Sequence, residues 1–433
     1  MEITDRAPPG GVLDLFPPGT VRGGDGAALV AGCRLDELAE AYGTPALIVD
    51  EGHVRATARR YRQALRDGWA RSQVTFASKA FPCTAVYRVM AEEGIWVDVV
   101  GGGELALALN AGVPPGTILL HGNAKGDADI AAALSAGVAY IVVDNLDDVE
   151  RLTRLAERPQ DVLLRVNPDV APDTHAAVST GGRGSKFGLP GEQLAEAAER
   201  VRRCPVLRLA GAHVHIGSQI LDTSPFVRSV TALAGMLGKA ALAGLAVYDL
   251  GGGLAARYTR SDDVPEIEDY VSALVAAARR ELPPDARILI EPGRSMVAAA
   301  GLSLYRVVSV KRAGKTFVAV DGGMGDNLEV SLYGQRFEAA LVGPVGARPD
   351  EVCDVVGHHC ESGDRLVADA VLPRPQVGDL LAVPVTGAYT YSLSNNYNGS
   401  CRPPVVFVRD GRHRPVVRRE TLDDLIRRDL EWE

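Results

Sequence analysis

The chain is poor in the features that would place it among several large classes. Its six cysteines (Cys33, Cys83, Cys204, Cys353, Cys360 and Cys401) contain no C-x-x-C pair. Neither a disulfide framework nor a cysteine-rich zinc site is therefore expected. No apolar run reaches the roughly 18 to 20 residues that span a bilayer. The first residues hold Asp5, Arg6 and a Pro/Gly-rich stretch to Gly26, with no signal-peptide core, and are expected to fray or pack loosely. Basic residues are outnumbered, 46 Lys and Arg against 55 Asp and Glu, for a net charge of −9. That balance argues against nucleic acid or an anionic membrane as the main partner. There is no low-complexity tract and no short-period repeat, and cytoplasmic residence is the expectation. What is present is 433 residues, 46% of them hydrophobic. This is enough for two domains, or for one large barrel with an addition.

Eight short β-branched or apolar runs recur in the first three hundred residues: Val74–Lys79, Ile95–Val100, Thr117–Gly122, Ala139–Asp144, Val162–Asn167, Leu209–Ile216, Val247–Leu250 and Ile288–Glu291. Between them, segments such as Ala80–Glu93, Gly126–Ala136 and Leu146–Ala156 repeat apolar residues at a helical period. Alternating strand and helix implies parallel strands, and eight units predict a (β/α)8 barrel, with an open doubly wound sheet as the rival. After about residue 300 the texture changes to strands: Leu302–Val310, Thr316–Val320, Val352–His358, Arg365–Val371, Leu380–Val385, and a hairpin of Val405–Arg409 and Pro415–Arg418 around Asp410-Gly411. The expected fold is thus α/β plus β: a TIM-type barrel over 46–300 and a C-terminal all-β sandwich or barrel over 301–433. Residues 1–45 form an extension contributing to the β domain, and the first fifty residues, with a helix at Leu35–Tyr42 and a strand at Ala46–Asp50, are a candidate bridge between the domains.

Barrel chemistry occupies the C-terminal strand ends. Those ends carry Lys79, Asp98, His121 with Asn123, Asp144, Arg165 with Asn167, His213 with His215, Gly251 to Gly253, and Glu291 with Arg294. Lys79 reads either as a solvated turn residue or as an amine that forms a Schiff base with an aldehyde cofactor in a mostly enclosed site. The glycines 251–253 read as a tight turn or as a loop bringing N–H groups against a phosphate. Glu291-Pro292-Gly293-Arg294 repeats that arrangement on the next strand. His213 and His215 are two apart and face one way; stacking on an aromatic cofactor, a zinc ligand and a satisfied buried histidine are the open readings, and no metal-ligand spacing accompanies them. Glu291 suits a pyridinium nitrogen or an arginine-paired core carboxylate. In the β region, Cys360-Glu361-Ser362-Gly363-Asp364 and the loop after Gly387-Ala388-Tyr389 concentrate polar groups, as functional loops and plain surface turns both do.

Taken together, Phe76–Phe81, Ser179–Gly188, His213–Gln219, Asp249–Gly253, Glu291–Arg294, Asp321–Gly334, Cys360–Asp364 and Gly387–Asn398 closely resemble the diaminopimelate decarboxylases, in the family's order across nearly the whole chain. These belong to the fold type III, alanine-racemase-type enzymes. The resemblance implies pyridoxal 5′-phosphate as cofactor, amino-acid decarboxylation, and a head-to-tail homodimer with shared active sites. It assigns Lys79 to the Schiff base and His215 to the ring face. Glu291 falls to the ring nitrogen, and Asp98, Ser218, Gly252, Gly253, Gly293, Arg294 and Tyr389 to the cofactor and its phosphate. Cys360 becomes the proton donor and Glu361 the binder of a distal amine, both from the partner subunit. Arg294, Tyr333 and Tyr389 line the substrate.

One position departs from the family's pattern. Glu329 stands where an arginine normally holds the substrate's distal carboxylate, and Arg336 is the nearby cation that would compensate. Exchanging a bidentate cation for an anion costs several kcal/mol at a desolvated carboxylate. The expectation is therefore a decarboxylase with an altered substrate, one lacking that carboxylate or carrying a cation, as in secondary metabolism. The alternative is ordinary meso-diaminopimelate decarboxylation to lysine. A non-catalytic relative fits less well, because Lys79 and Cys360 are both kept, and a racemase fits less well, because the Cys360–Asp364 segment favours decarboxylation.

Overall fold

The computed structural model describes residues 12–170, 180–182, 184–242, 244–344 and 348–430. Within them the chain forms two compact units. One is Arg55–Ala255 with Val264–Met296; the other takes the chain up to Val54, Ala256–Asp263, and everything from Val297 on.

The first unit is a closed barrel of eight parallel strands: β1 (Ser72–Ala77), β2 (Trp96–Val99), β3 (Ile118–Leu120), β4 (Tyr140–Val143), β5 (Gln160–Val166), β6 (Leu207–Val214), β7 (Val247–Asp249) and β8 (Arg287–Ile290). Each strand pairs with its sequence neighbours, and Ile288–Ile290 of β8 closes on Ser72–Val74 of β1. Helices cover the outside, so a strand is buried on both faces; all four residues of β4 and all three of β3 are buried. This is why the strands read as unbroken apolar runs rather than alternating ones. Leu119, Tyr140, Val142, Leu163, Val247 and Leu289 form one buried cluster drawn from five strands. Truncating one of these leucines to alanine would cost about 2–5 kcal/mol.

All eight strand predictions hold, with ends shifted by at most two residues. The shift matters at Lys79: β1 stops at Ala77, and Lys79 lies in a 3-10 turn, Ser78–Ala80. Because the strands are parallel, their polar C-terminal ends gather at one mouth.

The second unit is built on a nine-stranded mixed sheet, with a small three-stranded antiparallel sheet of Val21–Arg22, Ala28–Val30 and Cys33–Arg34 beside it in sequence. Its main path runs Arg365–Pro373, Asp350–Val356, Lys315–Val320, Gly301–Ala313, Ala46–Asp50, Val405–Arg409 and Arg412–Val417. Ala46–Asp50, assigned to the barrel range from sequence, pairs instead antiparallel with Gly301–Leu304 and parallel with Val405–Val408. Its five residues are all buried, which an apolar strand achieves equally well in either unit, so its composition carried no sign of its sheet. Phe16, Val30, Leu35 and Ile48 share a core with Leu302, Leu304 and Val406. Short helices at Glu329–Tyr333, Thr390–Leu393 and Leu422–Ile426 add to the strands the sequence predicts there. At four or five residues they offer no periodicity to read.

Candidate active site

The barrel mouth collects its polar groups around Glu291, which follows β8 and is 6% exposed. Nε2 of His213, on β6, lies 3.2 Å from Oε2 of Glu291. Nε2 of His121, just past β3, lies 2.8 Å from Oε1, in close contact but out of line for a straight hydrogen bond. The two imidazoles meet edge to face, with centroids 4.9 Å apart. Asp249 of β7 completes a group whose donor atoms all fall within 4.8 Å of one another, a grouping also open to a metal ion.

Three buried carboxyl groups share this space, and they do not ionise alike. Burial raises Asp98 to about 7, with repulsion from Glu291 adding to it. Burial, reinforced by the charge of Glu291, holds Asp249 well above the usual carboxylate range. Burial would raise Glu291 too, but the imidazoles of His121 and His213 outweigh it and keep this carboxyl well below its ordinary value. Glu291 is therefore the settled anion of the three. Burial lowers His213 to about 4, so at neutral pH it serves Glu291 as a neutral donor.

Around this centre the glycine loops are close-packed. A Cβ on Gly252 would lie 1.9 Å from the carbonyl oxygen of Glu291, and one on Gly251, at φ +68°, 2.4 Å from that of Val214. Only glycine lets these two strand-end turns approach so closely. Gly251 N–H donates to Oδ1 of Asp249 at 3.0 Å, and Gly252 N–H donates to Nδ1 of His215 at 3.2 Å. That bond leaves His215 neutral, as does the burial that holds its pKa well below the usual imidazole value. Arg294 Nε donates to Ser218 Oγ at 3.1 Å, joining two of the predicted cofactor residues. Asp98 accepts from Ser78 N–H at 2.9 Å and so pins the turn that carries Lys79. Ser78 and Ala80 are buried, whereas Lys79 itself is exposed, not enclosed as a Schiff-base lysine was expected to be. The turn is fixed by its neighbours, and the charge of Lys79 acts on Asp98 and His215 inside the mouth.

Further round the barrel, Arg165 reaches Oδ1 of Asp144 at 3.2 Å and lies 4.5 Å over the ring of Phe187. Lys125 and Asp148 form a fully buried ion pair at 2.7 Å. Ser179 and Arg183 of the Ser179–Gly188 motif lie outside the described residues.

The remaining predicted residues belong to the sheet unit, where three loops are tied together. Asp364, 3% exposed, accepts from the N–H groups of Met324 and His359, each at 2.7 Å. Nε2 of His359 accepts from Gly325 N–H at 3.1 Å, so its Nδ1 carries the proton toward Asn398 Oδ1, also at 3.1 Å. Tyr397 donates to Glu361, and Cys360 is exposed on the same turn. The segments 321–327, 360–364 and 395–398, remote in sequence, thus form one cluster. Tyr389 has φ +61° and Val385 φ +62°, both in the left-handed region. A β-branched residue there is strained, and such strain gathers at functional loops. Glu329 is 1% exposed and accepts from Tyr258 Oη at 3.3 Å; Tyr333 is partly buried and Arg336 exposed.

The site holds together what the sequence predicted at Asp98, His215, Ser218, Gly252, Gly253, Glu291, Gly293 and Arg294. It adds His121, His213 and Asp249 as a structured group. Their signal was present, since all three end strands, but nothing in a linear sequence shows that three strands aim at one carboxylate. The set fits pyridoxal phosphate: an amine on a fixed turn, glycine loops with no room for side chains, and a buried anion with an oxygen, Oε1, in no aligned hydrogen bond.

Comparison with known proteins agrees. Residues 51–298 match the model of the pyridoxal-dependent decarboxylase family, pyridoxal binding domain. The chain is 46% identical over 424 residues to the diaminopimelate decarboxylase of Actinosynnema pretiosum subsp. auranticum, covering 96% of this chain and 95% of that one. It is 41% identical to that of Mycobacterium tuberculosis (strain H37Rv), with 95% and 97% covered. Among solved structures, the diaminopimelate decarboxylase from M. jannaschii in co-complex with L-lysine superposes with a TM-score of 0.89 at 31% identity, covering 96% of this chain and 99% of that one.

Proposed function

The chain belongs to the pyridoxal-dependent decarboxylases, and within that family we propose that it converts meso-diaminopimelate to L-lysine and carbon dioxide. The observation that carries this reading is the full-length match to relatives named diaminopimelate decarboxylase, at up to 46% identity among those compared. Pyridoxal 5′-phosphate is the cofactor. When bound, it supplies an aldehyde that links to amines and a ring that accepts the electron pair left by the departing carboxylate.

The chain's own residues divide the remaining work. Lys79 is the amine that would hold the cofactor. Glu291, as an anion, would keep the cofactor's ring nitrogen protonated. His215, held by the Gly252 N–H, would stack on the cofactor, and Ser218, Gly252, Gly253, Gly293 and Arg294 would hold the phosphate and its surroundings, with Asp98 bracing the Lys79 turn. Tyr389 and Tyr333 border the substrate. In a homodimer with shared sites, Cys360 of the partner subunit returns a proton to the α-carbon after carbon dioxide leaves, and Glu361 of the partner subunit binds the distal amine. Among the described residues, no helix is long and apolar enough to cross a membrane.

A second reading is favoured by one observation. Glu329 is a buried carboxylate where the family's pattern has an arginine. A substrate whose far end is neutral or cationic would suit it better than a carboxylate. Incubation with a panel of amino and diamino acids, following carbon dioxide and product mass, separates the two. Lysine formed from meso-diaminopimelate supports the first; turnover confined to another substrate supports the second.

A further inference from the structure

Glu291 shares its pocket with two other buried carboxyl groups, and only Glu291 is flanked by imidazoles on both oxygens. Nε2 of His121 approaches Oε1 at 2.8 Å, and Nε2 of His213 approaches Oε2 at 3.2 Å. Asp98 and Asp249 instead each receive a backbone N–H, from Ser78 and Gly251. The two imidazoles come from opposite arcs of the barrel: β6 is two strands from β8 on one side, and β3 is three strands away on the other.

The tautomer of His213 follows from the geometry. Its Nδ1 is buried and has no hydrogen-bond partner. A proton there would be a buried unsatisfied donor, costing about 1–3 kcal/mol, whereas a bare lone pair costs less. The proton therefore sits on Nε2, aimed at Glu291, and the ring is neutral. A neutral donor steadies the carboxylate without cancelling its charge, and a cationic imidazole would compete with a protonated ring nitrogen for the same anion.

We propose that His121 and His213 are positioning residues that select Glu291, among three buried carboxyl groups, as the anion facing the ring nitrogen of the cofactor. The proposal rests on the cofactor reading above. Neither histidine touches the reacting atoms; both act through Glu291. The other charged or titratable groups facing Glu291 are Asp98 on β2, Arg165 on β5, His215 past β6, Asp249 on β7 and the phenol of Tyr270 on helix Ile267–Glu281, while Lys79 past β1 faces Asp98 and His215. Of these, Asp249 shares a hydrogen bond with Glu291 but is itself an acid, whereas the two imidazoles bring nitrogens against Oε1 and Oε2. Without the imidazoles, burial and the neighbouring carboxyls would return the proton to Glu291, and the ring nitrogen would lose its own.

The test is nitrogen-15 NMR of holoenzyme reconstituted with cofactor labelled at the ring nitrogen, in wild type, His213→Leu, His121→Leu, the double variant and the conservative His213→Asn. The expected result is a protonated ring nitrogen in wild type, a shift to the unprotonated position in the leucine variants, largest in the double, and recovery in His213→Asn, whose amide still donates. A ring nitrogen that stays protonated in the leucine variants overturns the proposal, as does loss of the proton in His213→Asn to the same extent as in His213→Leu. If the double variant does not fold, the single variants decide by the same criterion. Wild-type protein that takes up no cofactor would instead overturn the cofactor reading, so the two failures are distinct.

Discussion

Tyr258 and Glu329 are joined by a hydrogen bond of 3.3 Å between two buried side chains, the phenol donating to Oε2. Tyr258 is set edge-on against Phe337, with centroids 5.0 Å apart, so the donor is held by packing. Glu329 is thus a built-in feature of its helix, not a stray surface carboxylate.

The proposed function makes a direct prediction here. If the enzyme already uses diaminopimelate with Glu329 in place, Glu329→Arg brings no gain, and the larger cation placed against Tyr258 lowers kcat/KM. Steady-state kinetics on meso-diaminopimelate check this. A rise above wild type would show that Glu329 excludes that substrate and would favour the second reading.

Cys360 is exposed on a turn whose base is fixed by Asp364. Replacement by serine keeps the shape but removes an effective proton donor. Turnover should fall about a hundredfold or more, in the range of general acid catalysis, with the cofactor's visible absorbance unchanged. Activity within a few-fold of wild type would remove Cys360 from the mechanism.

Asp364→Ala strips two backbone N–H groups, those of Met324 and His359, of their acceptor. Leaving buried donors unsatisfied should destabilise the protein by about 2–4 kcal/mol. Urea unfolding at fixed protein and cofactor concentration measures it. A change below about 0.5 kcal/mol, the range of ordinary surface substitutions, would mean that the three-loop cluster is held by something else.

Asp326 gives a pH signature. Burial raises its carboxyl from 3.8 to about 7, against the lowering effect of hydrogen bonds from Tyr305 and Gly323. Its proton is kept in the folded state and released on unfolding through this window. Its contribution to stability is therefore fully present below about 4 and is lost as pH rises through about 7. Asp326→Asn, which mimics the protonated acid, should match wild type at the low end and exceed it above neutrality in thermal unfolding. Parallel pH profiles for the two proteins would contradict this assignment.

Much of this fold was legible because parallel barrel strands are covered on both faces and so appear as apolar runs. Lys79, Asp98 and Glu291 stood out as polar groups at the ends of such runs. Ala46–Asp50 was misplaced for the same reason, since a fully buried strand does not declare its sheet. The clustering of His121 and His213 on Glu291, and of His359 and Asp364 on the 321–327 loop, depends on barrel closure and sheet register. Neither leaves a local trace in the sequence.

The central claim is that this barrel decarboxylates meso-diaminopimelate. Its most direct test is holoenzyme incubated with that compound, with released carbon dioxide and product mass followed together and Lys79→Ala as the blank. The account predicts equimolar carbon dioxide and lysine from wild type and neither from the variant. No lysine from a cofactor-loaded enzyme that turns over another amino acid would contradict it.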